Sequence, residues 1–153
     1  MRRKDREQDQ AFALKVIDES EFGVLCMDTS RNVPYGVPLS IARMGEDAVV
    51  FHCALAGEKL EYLRENPQVC VAFVSFVEAI EDDFSTQYAS ALVFGRAQEI
   101  VEPEEKIQAL RIICEKFIPK NMPNFEEYAA RFLSKTGVWK VPIEQISAKA
   151  LLK

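Results

Sequence analysis

The stretch Val49–Val71, VVFHCALAGEKLEYLRENPQVCV, decides how the rest of the chain is read, because strand, polar turn, short helix and strand follow in immediate succession. Val49, Phe51 and Cys53 alternate with Val50 and His52, the period-two pattern of a strand with two different faces. Ala56 to Arg64 then reads as a short helix, with Leu60 and Leu63 on one face and Glu58, Glu61 and Glu65 largely off it. Asn66-Pro67 stops that helix, since the residue before proline is pushed out of the helical region. Val69, Val71 and Phe73 restart a strand. His52, the only histidine in the chain, stands at the end of the first strand. Lys59 falls in the first helical turn, where free backbone N–H groups and the positive end of the dipole also attract an anion. That arrangement suits a phosphate.

Working outward, 153 residues with 48% apolar and 28% charged content are enough for one globular domain with its own core, and no second domain is expected. A net charge of −5 argues against a general nucleic-acid surface, which needs a basic stripe. It leaves room for a small anionic ligand, which one local positive site can hold. Cys26, Cys53, Cys70 and Cys114 are scattered, without a C-x-x-C pair, and read as buried reduced thiols. One histidine and no clustered cysteines make a zinc site or a Ser-His-Asp set improbable, so no metal is expected. The charged opening MRRKDREQDQ has no apolar signal region, and no segment approaches the ~20 apolar residues of a membrane span. A cytoplasmic protein with no membrane partner is the expectation.

In chain order, residues 1–10 read as a loose arm and Ala11 to Ser20 as an amphipathic helix. Phe22–Met27 and Tyr35–Met44 form a hairpin across the polar turn Asp28–Asn32, and Gly45-Glu46-Asp47 turns into the Val49 strand. Val69–Val77 is a strand followed by a solvated acidic loop, Glu78–Asp83. Tyr88–Ile100 is the longest strand expected, with Ala89, Ala91, Val93, Gly95 and Ala97 on one face and Gly95 marking a bulge or a close approach. Pro103 opens a helix that ends before Pro119, Phe125–Leu133 is a second, and Gly137–Ile146 returns to strand with Trp139 in the core. Strands joined by hairpin turns, with helices inserted, predict an antiparallel α+β domain closing as a small barrel.

Phe51-His52-Cys53, Gly57-Glu58-Lys59 and Leu63-Arg64-Glu65-Asn66-Pro67-Gln68-Val69, in that order, resemble the strand, phosphate turn and helix end of the pyridoxamine 5′-phosphate oxidase-like, FMN-binding split-barrel family. The opening Met1–Arg6, the strand Pro34–Ser40, Tyr88-x-Ser90 and Gly95-Arg96-Ala97 resemble its branch of 5-nitroimidazole reductases, the Nim-type resistance proteins. The resemblance implies a split β-barrel of about six antiparallel strands with flanking helices, one domain over 1–153, and a homodimer with FMN at the subunit interface.

Residue by residue, the resemblance implies that Val37, Pro38, Leu39 and Ser40 run along the flavin ring and that His52 and Cys53 lie near its ribityl phosphate. Lys59 takes the place of the phosphate lysine, and Ser90 reaches in from the long strand. His52 is also the candidate catalytic residue, polarising a substrate or donating a proton. On the residues alone, each has a plainer reading. Val37–Ser40 is then an ordinary strand with Pro38 at an edge or bulge, His52 a satisfied surface group, Lys59 a solvated lysine and Ser90 a solvated strand residue. Glu58 departs from the oxidase pattern, which has arginine there, and is expected to face solvent. The C-terminal aromatic and basic residues of the oxidase are not recognisable in Ile143–Lys153, so oxidation of pyridoxamine phosphate is not expected. The activity implied is flavin-centred transfer from a small-molecule electron donor to a small acceptor, such as a nitroimidazole. The alternatives are a flavin reductase, a haem- or deazaflavin-binding relative, and a flavin-binding protein without turnover.

Overall fold

Strands that alternate buried and exposed residues build one sheet, strands buried on both faces build most of a second, and the two share one apolar leaf. The computed structural model describes residues 2–29, 31 and 33–152. Met1, Ser30, Asn32 and Lys153, which belong to the opening motif, the first turn and the C-terminal stretch named above, lie outside the described residues. The order is β1 (Glu7–Gln8), α1 (Gln10–Glu19), β2 (Gly23–Met27), β3 (Tyr35–Leu39), β4 (Ile41–Met44), β5 (Ala48–Cys53) and α2 (Glu58–Glu65). It continues with β6 (Gln68–Ile80), β7 (Ser85–Arg96), β8 (Gln98–Glu99), α3 (Pro103–Phe117), α4 (Phe125–Phe132), β9 (Gly137–Pro142) and β10 (Gln145–Leu151). All pairings are antiparallel, in a six-stranded sheet β1-β10-β7-β6-β2-β3 and a four-stranded sheet β4-β5-β9-β8.

The α+β class and the antiparallel sheets with flanking helices are as the sequence predicts. The sheets do not close into a barrel, and there are ten strands among the described residues instead of about six. Three expected strands each divide and pass from one sheet to the other. Tyr35–Met44 breaks at Ser40 into β3 and β4, Tyr88–Ile100 breaks at Ala97 into β7 and β8, and Gly137–Ile146 breaks at Ile143-Glu144 into β9 and β10. Pro38, Gly95 and Pro142 stand one or two residues before the three corners, but inside apolar runs they read as edge, bulge or close-approach residues and do not announce a change of sheet.

Between the sheets, Val49, Phe51, Trp139 and Val141 meet Leu25, Val71, Phe73 and Val93, all buried. Helix α1 adds Ala13, Val16 and Ile17 to that core. Asp9 caps it by accepting from the Phe12 amide at 2.8 Å, and the half-buried Lys116 ammonium donates to the carbonyls of Ile17 at 2.7 Å and Ile41 at 3.0 Å. The arm expected to be loose is tied down, with Glu7 and Gln8 pairing with Lys149 and Ala148 of β10. The outer face of the four-stranded sheet is covered by α3 and α4, whose Ala109, Leu110, Ile113, Phe125 and Ala129 form a second core with Ala42, Val50 and Val138. The acidic loop is shorter than expected, since β6 runs on to Ile80 and leaves one 3-10 turn, Glu81–Asp83.

The bend at Ala97 and the bend at Ile143-Glu144 dock on each other at Gly95. The Glu144 amide donates to the Phe94 carbonyl at 3.0 Å, and a Cβ on Gly95 would lie 2.0 Å from the Pro142 carbonyl oxygen. This is the close approach expected there, against backbone that cannot swing aside. Gly95→Ala should therefore cost about 1–3 kcal/mol or more of unfolding free energy, read from urea denaturation; a variant as stable as the parent would refute the tight crossing.

Candidate functional site

Strand β5 ends in residues that part to two sides. Phe51 faces the inter-sheet core, while His52 follows Val50 onto the face under α3 and α4. Past Cys53 the chain turns at Gly57, whose φ of +136° favours glycine, and enters α2. Leu60, Tyr62 and Leu63 anchor α2 in the inter-sheet core, and the Tyr62 ring packs on Tyr35 of β3 at 5.3 Å between centroids. The anchoring leaves Lys59 half-buried in the first turn, and it makes no hydrogen bond or ion pair with the described residues. Glu58, expected to face solvent, is about half exposed. It accepts from the Tyr62 hydroxyl at 2.6 Å and lies 3.6 Å from the Arg31 guanidinium, so its charge is partly compensated.

Val37, Pro38 and Leu39 lie on β3, an outermost strand of the six-stranded sheet that, among the described residues, pairs only with β2. One edge of its backbone is open to a ligand, and Pro38, which lacks an N–H, is tolerated there. Val37 and Leu39 turn inward against the core, and Pro38 and Ser40 are exposed. One step beyond the Ile41–Phe51 pair, Ser40 comes opposite His52. The two polar side chains line a cavity of about 170 Å³ whose walls include Leu110, Ile113, Phe117, Met122, Phe125 and Tyr128. Neither makes a hydrogen bond with the described residues, whereas Thr136 donates to the Phe132 carbonyl and Asn124 to Asn121. The sequence reading missed this cavity because its walls share the apolar stripe of α3 that reads as core. Asn121 and Met122, between Pro119 and Pro123, and Asn124 just after them are the outward signal.

The structure thus brings Val37–Ser40, His52, Cys53 and Lys59 to one end of the sheets. It does not bring Ser90 there. Ser90 lies on the outer face of β7, opposite Val74 and Lys149, three strands from β3 or roughly 14 Å at ~4.8 Å per strand.

Charge links the grouped residues. His52 keeps a solvent-facing surface, yet partial burial lowers its pKa, and the nearby Lys59 ammonium lowers it further, so the imidazole is neutral at pH 7. Burial raises the Cys53 thiol, with Glu99 acting the same way and Lys59 and Arg64 opposing, which keeps it protonated. A lysine without a carboxylate partner, open amides in a helix's first turn and a nearby open strand edge fit an anionic group joined to a flat polar one.

This two-sheet α+β domain, with all its strand pairings antiparallel, is the fold that the comparisons with known proteins share. The family model of pyridoxamine 5′-phosphate oxidase matches residues 9–150, and the chain belongs to that family. No curated protein sequence matches it. Among solved structures it resembles a candidate 5-nitroimidazole antibiotic resistance protein from Bacteroides thetaiotaomicron, at 24% identity and TM-score 0.75 over 94% of this chain and 84% of that one. It also resembles the flavocytochrome Anf3 of Azotobacter vinelandii, at 22% identity and TM-score 0.80 over 100% of this chain and 72% of the other. A third is an FAD- and haem-binding protein of Mycobacterium smegmatis, at 20% identity and TM-score 0.82 over 97% and 74%. These likenesses establish the shared fold.

Because His52 is the only histidine, its titration is directly readable by NMR. Lys59→Met should move its midpoint up, still below the ordinary imidazole value since burial is the larger cause; an unmoved midpoint would place Lys59 away from the ring. The unfolded chain binds this proton more readily than the folded one, so stability should fall as pH drops through the imidazole range, and His52→Gln should remove that part of the fall.

Proposed function

We propose that this chain is an FMN-binding oxidoreductase that passes electrons from a reduced nicotinamide-type donor to a small acceptor, a nitroimidazole among the candidates. The observation that carries the reading is Lys59, half-buried in the first turn of α2, without an acidic partner among the described residues, on a helix whose Tyr62 packs on Tyr35 of the edge strand β3. The phosphate would be held by Lys59 and the free amides of the Glu58-Lys59 turn, and the ring would lie along Val37–Ser40, where open backbone groups can bind its polar edge. Bound FMN supplies hydride chemistry. The chain's own residues bind, orient and exclude water. Neutral His52 and Ser40 offer hydrogen bonds at the lining of a cavity smaller than the ~300–1,000 Å³ usual for drug-sized ligands, which favours a compact acceptor.

Ser90 fits this reading only through a second copy. Since it stands apart from Lys59 within one chain, the homodimer expected from the family would let Ser90 of one subunit serve the flavin held by the other. A monomer in sedimentation would count against that part. The resemblance to haem-binding structures is met by His52 beside an apolar cavity, but about 170 Å³ is small for a haem.

Titrating the purified protein with FMN, followed by fluorescence quenching, should give saturable binding. Lys59→Ala should weaken it about 10- to 100-fold, the ~1.5–3 kcal/mol of a hydrogen bond to a charged group, and change riboflavin binding little. Failure to take up FMN would sink the flavin reading. The loaded protein should bleach with NAD(P)H and recolour with a nitroimidazole; retained colour with no bleaching would leave a flavin-binding protein without turnover. His52→Ala should retain FMN and lose turnover, and unchanged turnover would remove its catalytic role.

A further inference from the structure

Cys26 and Cys70 are far apart in the sequence but directly opposed in space, because β2 pairs antiparallel with β6 in the register Cys26–Cys70. Each alternates with buried neighbours, Leu25 and Met27 on β2 and Val69 and Val71 on β6, so both thiols stand half-buried on the outer face of the six-stranded sheet. The expectation of buried, separate thiols is corrected here: all four cysteines are partly exposed, and two of them face each other. Opposed residues of an antiparallel pair have Cα atoms ~4.5–5.5 Å apart, inside the ~4.4–6.8 Å that a disulfide spans. On the far side of Cys26 stands Gly36 of β3, which has no side chain, and beyond Cys70 stands Phe94 of β7. The Cys26 thiol donates to its own strand's Val24 carbonyl at 3.7 Å, a weak contact that a disulfide would replace. The Cys70 thiol is raised above its ordinary pKa by burial and, second, by Cys26, which marks the two sulfurs as neighbours and makes their reaction slow.

We propose that Cys26 and Cys70 form a reversible dithiol–disulfide site that reacts with small-molecule disulfides of the glutathione type. One cysteine thiolate attacks a sulfur of the reagent, breaking its S–S bond and releasing one thiol. The second cysteine thiolate attacks the protein sulfur of the mixed disulfide, forming the Cys26–Cys70 bond and releasing the other thiol. Two electrons pass from the cysteines to the reagent, and the two protons end on the released thiols. A half-exposed disulfide of this kind is the labile sort rather than a permanent staple. It would fasten β6 to β2, the only strand that holds β3 in the sheet.

The test is prolonged incubation of the folded protein with excess oxidised glutathione, then a thiol count after quenching and denaturation, with peptide mapping by mass spectrometry. The thiol count should fall from four to two, leaving Cys53 and Cys114 free, with one peptide joining Cys26 to Cys70 and full recovery on adding dithiothreitol. Cys26→Ser and Cys70→Ser, checked for native near-ultraviolet circular dichroism, should give no internal cross-link. Retention of all four thiols in the wild-type protein, a bond joining any other pair, or a bond between two copies would overturn the proposal.

Discussion

The structure depends on two sheets sharing a single apolar leaf. The chain supplies the shared face by bending three long runs from one sheet into the other, at Ser40, Ala97 and Ile143-Glu144. Phe51 and Trp139 from the smaller sheet then fill against Phe73 and Leu25 of the larger. Gly95 lets two of the bends touch through backbone alone. The third bend, at Ser40, sets that residue opposite His52 on the wall of one cavity.

What could be read in the sequence follows from how local each signal is. The helices were legible because Asn66-Pro67, Pro103 and Pro119 act on their immediate neighbours. The buried face of β7 was legible from strict alternation, Ala89, Ala91 and Val93 all being buried. The three corners were not, because Pro38, Gly95 and Pro142 beside them sit inside apolar runs and say nothing locally about which sheet the chain enters next. The pairing of Glu7-Gln8 with β10 and the facing of Cys26 and Cys70 were equally hidden, since both depend on register between distant segments. For the candidate site, the residues could be named from their order along the chain. Their grouping, the separate position of Ser90 and the cavity under α3 and α4 required the fold.

His52 joins two environments that the sequence presents as one motif. It lines the apolar cavity, and through the field of Lys59 it is also tied to the cationic turn of α2. Glu58, the acidic residue that would weaken an anion site, is drawn toward Tyr62 and Arg31. The charge argument for a phosphate therefore rests on one lysine plus open backbone amides, and the dimension that a single charge cannot supply comes from the open edge of β3. A phosphate at one end and a flat polar ring at the other would use both.

The most direct measurement is amide hydrogen exchange of the purified protein with and without FMN. New protection at Val37 and Leu39 together with the Gly57–Leu60 turn, and none at the exposed tip of the β6–β7 hairpin, is the expected result. FMN binding that protects only α3 and α4, or leaves the β3 edge and the turn exchanging at their free rates, would contradict the proposed cradle.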